Sequence, residues 1–160
     1  MRNLIVYYSL EGSTKYVAEK MAEKLEADIL ELIPKKSYHS KGILKFIFGG
    51  KSAIMAEKPA LEDYNIDLSL YDRIILGSPV WASNFTPPIR SFILDNKSQL
   101  NNKKFACYLC QAGAGGEKAL KKLADCLDIE KFDLSYIFTA LYKDPEKDKK
   151  IDSFYYMLRV

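Results

Sequence analysis

Histidine and cysteine are scarce in this 160-residue chain, with one of the first and three of the second. His39 has no second histidine to share a metal and no cysteine nearby, so it reads as a solvated loop residue rather than a ligand or general base. Cys107, Cys110 and Cys126 are an odd set and do not suggest a disulfide framework. Cys107 and Cys110 formally make a CxxC, but inside Phe105–Cys110, which reads as a buried strand. Residues three apart on a strand face opposite sides and stand about 10 Å apart along it, so the pair can neither chelate one metal nor close a disulfide. Long apolar runs are missing too. Leu4 to Tyr8 is too short for the apolar core of a signal peptide or for a membrane span, so a cytoplasmic protein without a span is expected. Neither sign of charge dominates. Lys and Arg number 24 against 21 Asp and Glu, and a net charge of +3 does not argue for nucleic acid. Repeats, low-complexity tracts and linkers are also lacking, which leaves a single domain over 1–160 as the expectation.

What is present is an alternation of strand and helix. Leu4–Tyr8 is continuous, β-branched and aromatic, and Val17, Ala18, Met21, Ala22 and Leu25 follow at helical spacing. Asp28–Ile33 reads as a second strand ended by Pro34. A basic stretch from 35 to 60 comes next, with six lysines against one acid, Glu57. Ile43, Leu44, Ile47, Phe48, Ile54 and Met55 recur there at helical spacing around Gly49-Gly50; such a face covers the core or a site mouth, or lies on a membrane surface. Arg73–Pro79 is a third strand, and Thr86-Pro87 opens a helix carrying Ile89, Phe92 and Ile93. Phe105–Cys110 is the fourth strand, followed by a helix with Ala119, Leu120, Leu123, Ala124 and Leu127. The fifth strand falls within Phe132–Ala140, and Asp144-Pro145 opens a last helix with Ile151, Phe154, Tyr155 and Leu158. This pattern predicts an α/β fold, a three-layer doubly wound five-stranded parallel sheet with ligands at the carboxyl ends of the strands.

Three loops carry unusual chemistry, and all three follow strands. Ser9-Leu10-Glu11-Gly12-Ser13-Thr14 joins the first strand to the first helix, where unpaired N–H groups and the helix dipole attract an anion. Hydroxyls of Ser9, Ser13 and Thr14 add donors, and Gly12 lets the chain turn closely. The same residues fit an ordinary N-cap at Ser13 or Thr14, and this stretch alone leaves both readings open. Val80-Trp81-Ala82-Ser83-Asn84-Phe85 follows the third strand, and Gln111-Ala112-Gly113-Ala114-Gly115-Gly116 the fourth. In the strand order 2-1-3-4-5 all three loops meet at one edge.

Ser9-x-x-Gly12-x-Thr14 after strand one, together with Gly77-Ser78-Pro79-Val80-Trp81 after strand three, resembles the flavodoxin family, and the resemblance covers nearly the whole chain. It implies flavin mononucleotide (FMN) as cofactor. Ser9, Glu11, Gly12, Ser13 and Thr14 would surround its phosphate; Pro79, Val80, Trp81, Ala82 and Ser83 would line the isoalloxazine; Gln111, Ala112, Gly113 and Gly115 would run along the pyrimidine edge. Glu11 departs from the family pattern, which has a hydroxyl residue there, and its side chain is expected to face solvent while its amide contributes. No tyrosine follows strand four to cover the second flavin face, so Phe46, Phe48 or Phe85 takes that place or the face stays open. The implied function is electron transfer with redox partner proteins or a small-molecule acceptor. An FMN-dependent NAD(P)H:quinone-type oxidoreductase is the alternative, a flavin-free module is a third reading, and the oligomeric state stays open.

Overall fold

A computed structural model of the chain describes residues 1–38 and 57–159. His39, Phe46, Phe48 and the helical spacing from Ile43 to Met55 lie outside the described residues. Strands β1 (Asn3–Tyr7), β2 (Asp28–Glu31), β3 (Arg73–Pro79), β4 (Lys104–Gln111) and β5 (Leu134–Thr139) form one parallel sheet in the order β2-β1-β3-β4-β5. Among the described residues it is flanked by α1 (Ser13–Leu25), α2 (Pro87–Asp95), α3 (Gly116–Leu127) and α4 (Lys147–Arg159), with further helical turns at Leu68–Leu70, Lys97–Leu100 and Leu141–Lys143.

Side chains of successive strand residues point to opposite faces, and both faces are covered, so the middles of the central strands, Leu4–Tyr7, Ile74–Leu76 and Phe105–Cys110, are apolar at every position. Leu4, Val6, Ile74, Leu76, Cys107 and Leu109 meet Ile89, Phe92 and Ile93 of α2 with Ala119 and Leu123 of α3. Ile5, Tyr7, Ile75, Ala106, Tyr108 and Cys110 meet Val17, Ala18 and Met21 of α1 with Ile151, Phe154 and Leu158 of α4. Each such side chain fully withdrawn from water contributes about 1.5–3 kcal/mol. Cys107 and Cys110 fall in different cores and are free thiols, as their spacing on a strand requires.

Two boundaries differ from expectation. The second strand stops at Glu31; after a last bond from the Leu32 N–H to the Tyr7 carbonyl of β1 (2.8 Å), the Lys35 N–H donates to the Ala60 carbonyl (2.8 Å) and the Glu62 N–H to the Ile33 carbonyl (2.7 Å) around a Pro34–Leu61 bridge. The first helix is capped by Gly12, with φ 99°, and neither Ser13 nor Thr14 caps it through its side chain. The second helix opens at Thr86 and Pro87 as its sequence predicts. The Thr86 hydroxyl meets the Ser78 hydroxyl at 3.0 Å, and Ser78 Oγ accepts from the Thr86 N–H at 2.9 Å.

Gly77 stands directly opposite Tyr108 in the β3–β4 register, and a Cβ on it would overlap the Tyr108 ring and hydroxyl. That missing side chain lets Tyr108, fully buried, reach across β3 and donate its hydroxyl to the Thr14 carbonyl at 3.0 Å. The start of α1 is thereby fastened to the centre of the sheet.

Candidate functional site

At the carboxyl edge of the sheet lies a cavity of about 660 Å³, bounded by the loops after β1, β3, β4 and β5. This falls within the range of about 300–1,000 Å³ usual for small-molecule sites. Ser9, Glu11, Ser13, Thr14, Pro79, Val80, Trp81, Ala82, Ser83, Gln111, Ala112 and Gly113 all line it. Gly12 and Gly115 do not; they shape the turns behind it.

In the first loop the Gly12 N–H donates to Ser9 Oγ at 3.1 Å, which leaves the Ser9 proton free to be donated elsewhere. The N–H groups of Ser13, Thr14 and Lys15, at the positive end of α1, have no acceptor among the described residues. Thr14 is 1% exposed, and its hydroxyl oxygen has no hydrogen-bond partner among the described residues. A buried hydroxyl in that condition costs about 1–3 kcal/mol, so its presence at a cavity wall needs a reason. Burial pushes the Cys110 thiol up to about 12, with the neighbouring Thr14 hydroxyl acting in the opposite direction, and such a thiol is a weak partner. Glu11 is exposed at the cavity rim, its side chain toward solvent.

The loop after β3 is a two-residue turn. Trp81 and Asn84 exchange N–H to carbonyl bonds of 2.9 Å each way, and the central Ala82 and Ser83 have φ 49° and 57°. Two successive non-glycine residues in the left-handed region cost about 1–2 kcal/mol each, strain of the kind that collects at functional sites. Trp81 lines the cavity, yet it is 6% exposed and meets Tyr8 and Tyr38 edge-on at ring distances of 5.7 and 5.5 Å. Burial holds both tyrosine hydroxyls above their usual range, Tyr38 at about 12. Phe85, a sequence candidate for covering a flavin face, is fully buried in the core and cannot reach the cavity.

After β4 the Gln111 side chain organises its own loop, accepting from the Gly116 N–H at 2.8 Å and donating to Thr139 Oγ1 at 2.8 Å. Gly115 has φ 98°, and Ser83 of the neighbouring loop leaves no room for a side chain there, so the position suits glycine on both counts. Around Gly113 a Cβ would meet nothing within 4 Å, so there the backbone itself faces the cavity.

Sequence reasoning missed the fourth wall, Ala140, Leu141, Tyr142 and Lys143 after β5. It has neither glycines nor a hydroxyl cluster; Ala140 turns the chain at φ 48°, and Tyr142 lies over α1, its hydroxyl 2.8 Å from where a Gly12 Cβ would stand. The position of β5 beside β4 was the available signal, since every loop at that edge can border the same cleft.

Comparison with known proteins agrees with this architecture. A family model described as flavodoxin matches residues 2–144, and the chain belongs to the flavodoxin family. No curated protein matches the chain at a significant level. Among solved structures, a flavoprotein of Lactobacillus acidophilus NCFM crystallised in complex with FMN is 22% identical with a TM-score of 0.74, covering 96% of this chain and 97% of its own. The apo form of a flavoprotein from that organism, solved by NMR, is 25% identical with a TM-score of 0.64 and coverages of 92% and 95%. Two-electron reduced Megasphaera elsdenii flavodoxin is 14% identical, with a TM-score of 0.60 and coverages of 97% and 96%. Among the described residues no helix is long and apolar enough to cross a membrane, and no cluster of His, Cys, Asp or Glu fits a metal.

Proposed function

We propose that this protein binds FMN in the cavity at the carboxyl edge of its sheet and serves in electron transfer. The observation that carries the reading is Thr14: a buried hydroxyl without a partner, set among the unpaired N–H groups of α1 and the free Ser9 proton, is a donor set suited to a phosphate. Ser9, Ser13 and Thr14 hold the phosphate by hydroxyl and amide, Glu11 contributes its amide, and Gly12 turns the chain. Pro79, Val80, Trp81, Ala82 and Ser83 form one wall for the ring system. Gln111, Ala112 and Gly113 form the other, with Ala112 and Gly113 N–H groups that have no partner among the described residues. The flavin supplies the redox chemistry when bound; the chain fixes its position, dries one side of it with Trp81 and leaves an edge within reach of a partner.

The test is a fluorescence titration of the apoprotein with FMN followed by anaerobic reduction. One equivalent of FMN should bind with its emission quenched, and the complex should accept electrons from a low-potential donor while staying inert to NADPH. Failure to bind FMN would sink the reading. Rapid bleaching by NADPH would replace electron carriage with the NAD(P)H:quinone-type oxidoreductase.

A further inference from the structure

The charged side chains lining the cavity, among the described residues, are Glu11 and Lys143. A phosphate beside Glu11 would gather negative charge at the end of α1, and the phosphate loop offers no cation of its own. Lys15, in the first turn of α1, is drawn off by Glu31 at 3.2 Å, and Lys147 lies over the Tyr16 ring at 5.9 Å. Lys143 is different: its ammonium has no ion pair or hydrogen bond among the described residues. Its neighbour Asp144 is the obvious internal counter-ion, but Asp144 is held by Lys150 at 2.5 Å and accepts from the Glu146 N–H at 2.9 Å.

The backbone around Lys143 is well anchored. The Ala140 N–H donates to the Gln111 carbonyl at 2.9 Å, and the Lys143 N–H to the Ala140 carbonyl at 2.8 Å. Tyr142 rests edge-on against Tyr16 of α1 at 6.4 Å, while the Tyr16 hydroxyl donates to Asp148 of α4 at 2.7 Å. A fixed turn thus carries an uncommitted cation beside the helix start that lacks one.

We infer that Lys143, from the loop after β5, is the counter-ion of the cofactor's phosphate, offsetting Glu11 and giving the site its preference for a phosphorylated flavin over the uncharged one. This rests on the FMN reading above. A lysine in this role acts as a point charge through a partly solvated gap, so its effect falls with salt.

The test compares FMN with riboflavin, titrated into the full chain and its Lys143→Met and Lys143→Arg variants at low and high ionic strength. The methionine variant should lose about three- to tenfold in FMN affinity at low salt, should keep its riboflavin affinity, and should show a flatter salt dependence; arginine should restore most of the loss. Unchanged FMN affinity in the methionine variant, or an equal loss toward both flavins, would overturn the role of Lys143 while leaving FMN binding intact. If the unmodified chain binds neither flavin, the FMN reading itself fails, and the inference with it.

Discussion

Two helices of this protein begin in almost the same backbone conformation and come to different ends. Gly12 before α1 has φ 99° and ψ −15°, and Gly115 before α3 has φ 98° and ψ −10°; neither helix is capped by the side chain of its N-cap residue. At α3 the chain supplies an acceptor from elsewhere, the Gln111 side chain, and the first N–H is satisfied within the protein. At α1 the Ser9 hydroxyl takes only the Gly12 N–H, and the amides beyond it face the cavity with the buried Thr14 hydroxyl. The same geometry therefore leaves the first helical amide satisfied or open according to whether the fold provides its own oxygen: Gly116 has one and Ser13 does not, while the next two amides of each helix have no acceptor among the described residues. Helix termini attract anions in general, but only a terminus left without an internal partner can use that attraction on a ligand.

The sharpest way to break the contrast is to remove the donors at α1. Ser9→Ala with Thr14→Ala should weaken FMN binding by about 3 kcal/mol or more, since hydrogen bonds to a charged group contribute about 1.5–3 kcal/mol each. Thr14→Val alone should do something a structural cap would not: raise the melting temperature of the apoprotein while lowering FMN affinity, because it deletes a hydroxyl that has no partner. A melting temperature that falls would show that Thr14 is satisfied in the apoprotein.

The two glycines respond differently to a methyl group. Gly115→Ala meets the Ser83 Cα at 3.1 Å and should destabilise the fold by about 2–4 kcal/mol, from left-handed strain plus overpacking. Gly12→Ala meets only the end of the exposed Tyr142 side chain, which can swing aside, so denaturant melts should show about 1–2 kcal/mol, the strain alone. Equal losses would mean that the Ser83 contact does not confine Gly115. Gln111→Ala should cost about 1–2 kcal/mol in the same melts by leaving the Gly116 N–H and Thr139 hydroxyl without their partner, with a smaller effect on FMN affinity than the α1 double variant. The smallest effect belongs to Glu11→Gln, which should strengthen FMN binding by less than about 1 kcal/mol at low salt, measured by the same fluorescence titration.

The fold was legible because both faces of the sheet are covered: Ile74-Ile75-Leu76 and Phe105–Cys110 are apolar at every position, and such runs between helical spacings leave few alternatives. The loops after β1, β3 and β4 were legible because glycine, proline and hydroxyl residues cluster where strands end. What stayed hidden depends on contacts between distant residues. Nothing local in Ala140-Leu141-Tyr142-Lys143 distinguishes it from an ordinary connection; it becomes a cavity wall only when a left-handed alanine folds it over α1. Phe85 looked available beside Trp81, but the tight turn at Ala82-Ser83 sends it into the core. The commitment of the Gln111 side chain to Gly116 and Thr139 was equally hidden, because that pairing needs β5 beside β4.

Tyr108 has a kinetic consequence. Since its hydroxyl reaches across β3, over the space that Gly77 leaves, to hold the Thr14 carbonyl, the donors around Thr14 stand in place before any ligand arrives. Capture of the cofactor then requires little ordering of the chain at its phosphate end, and the observed association rate should rise linearly with FMN concentration instead of levelling off at the rate of a loop rearrangement.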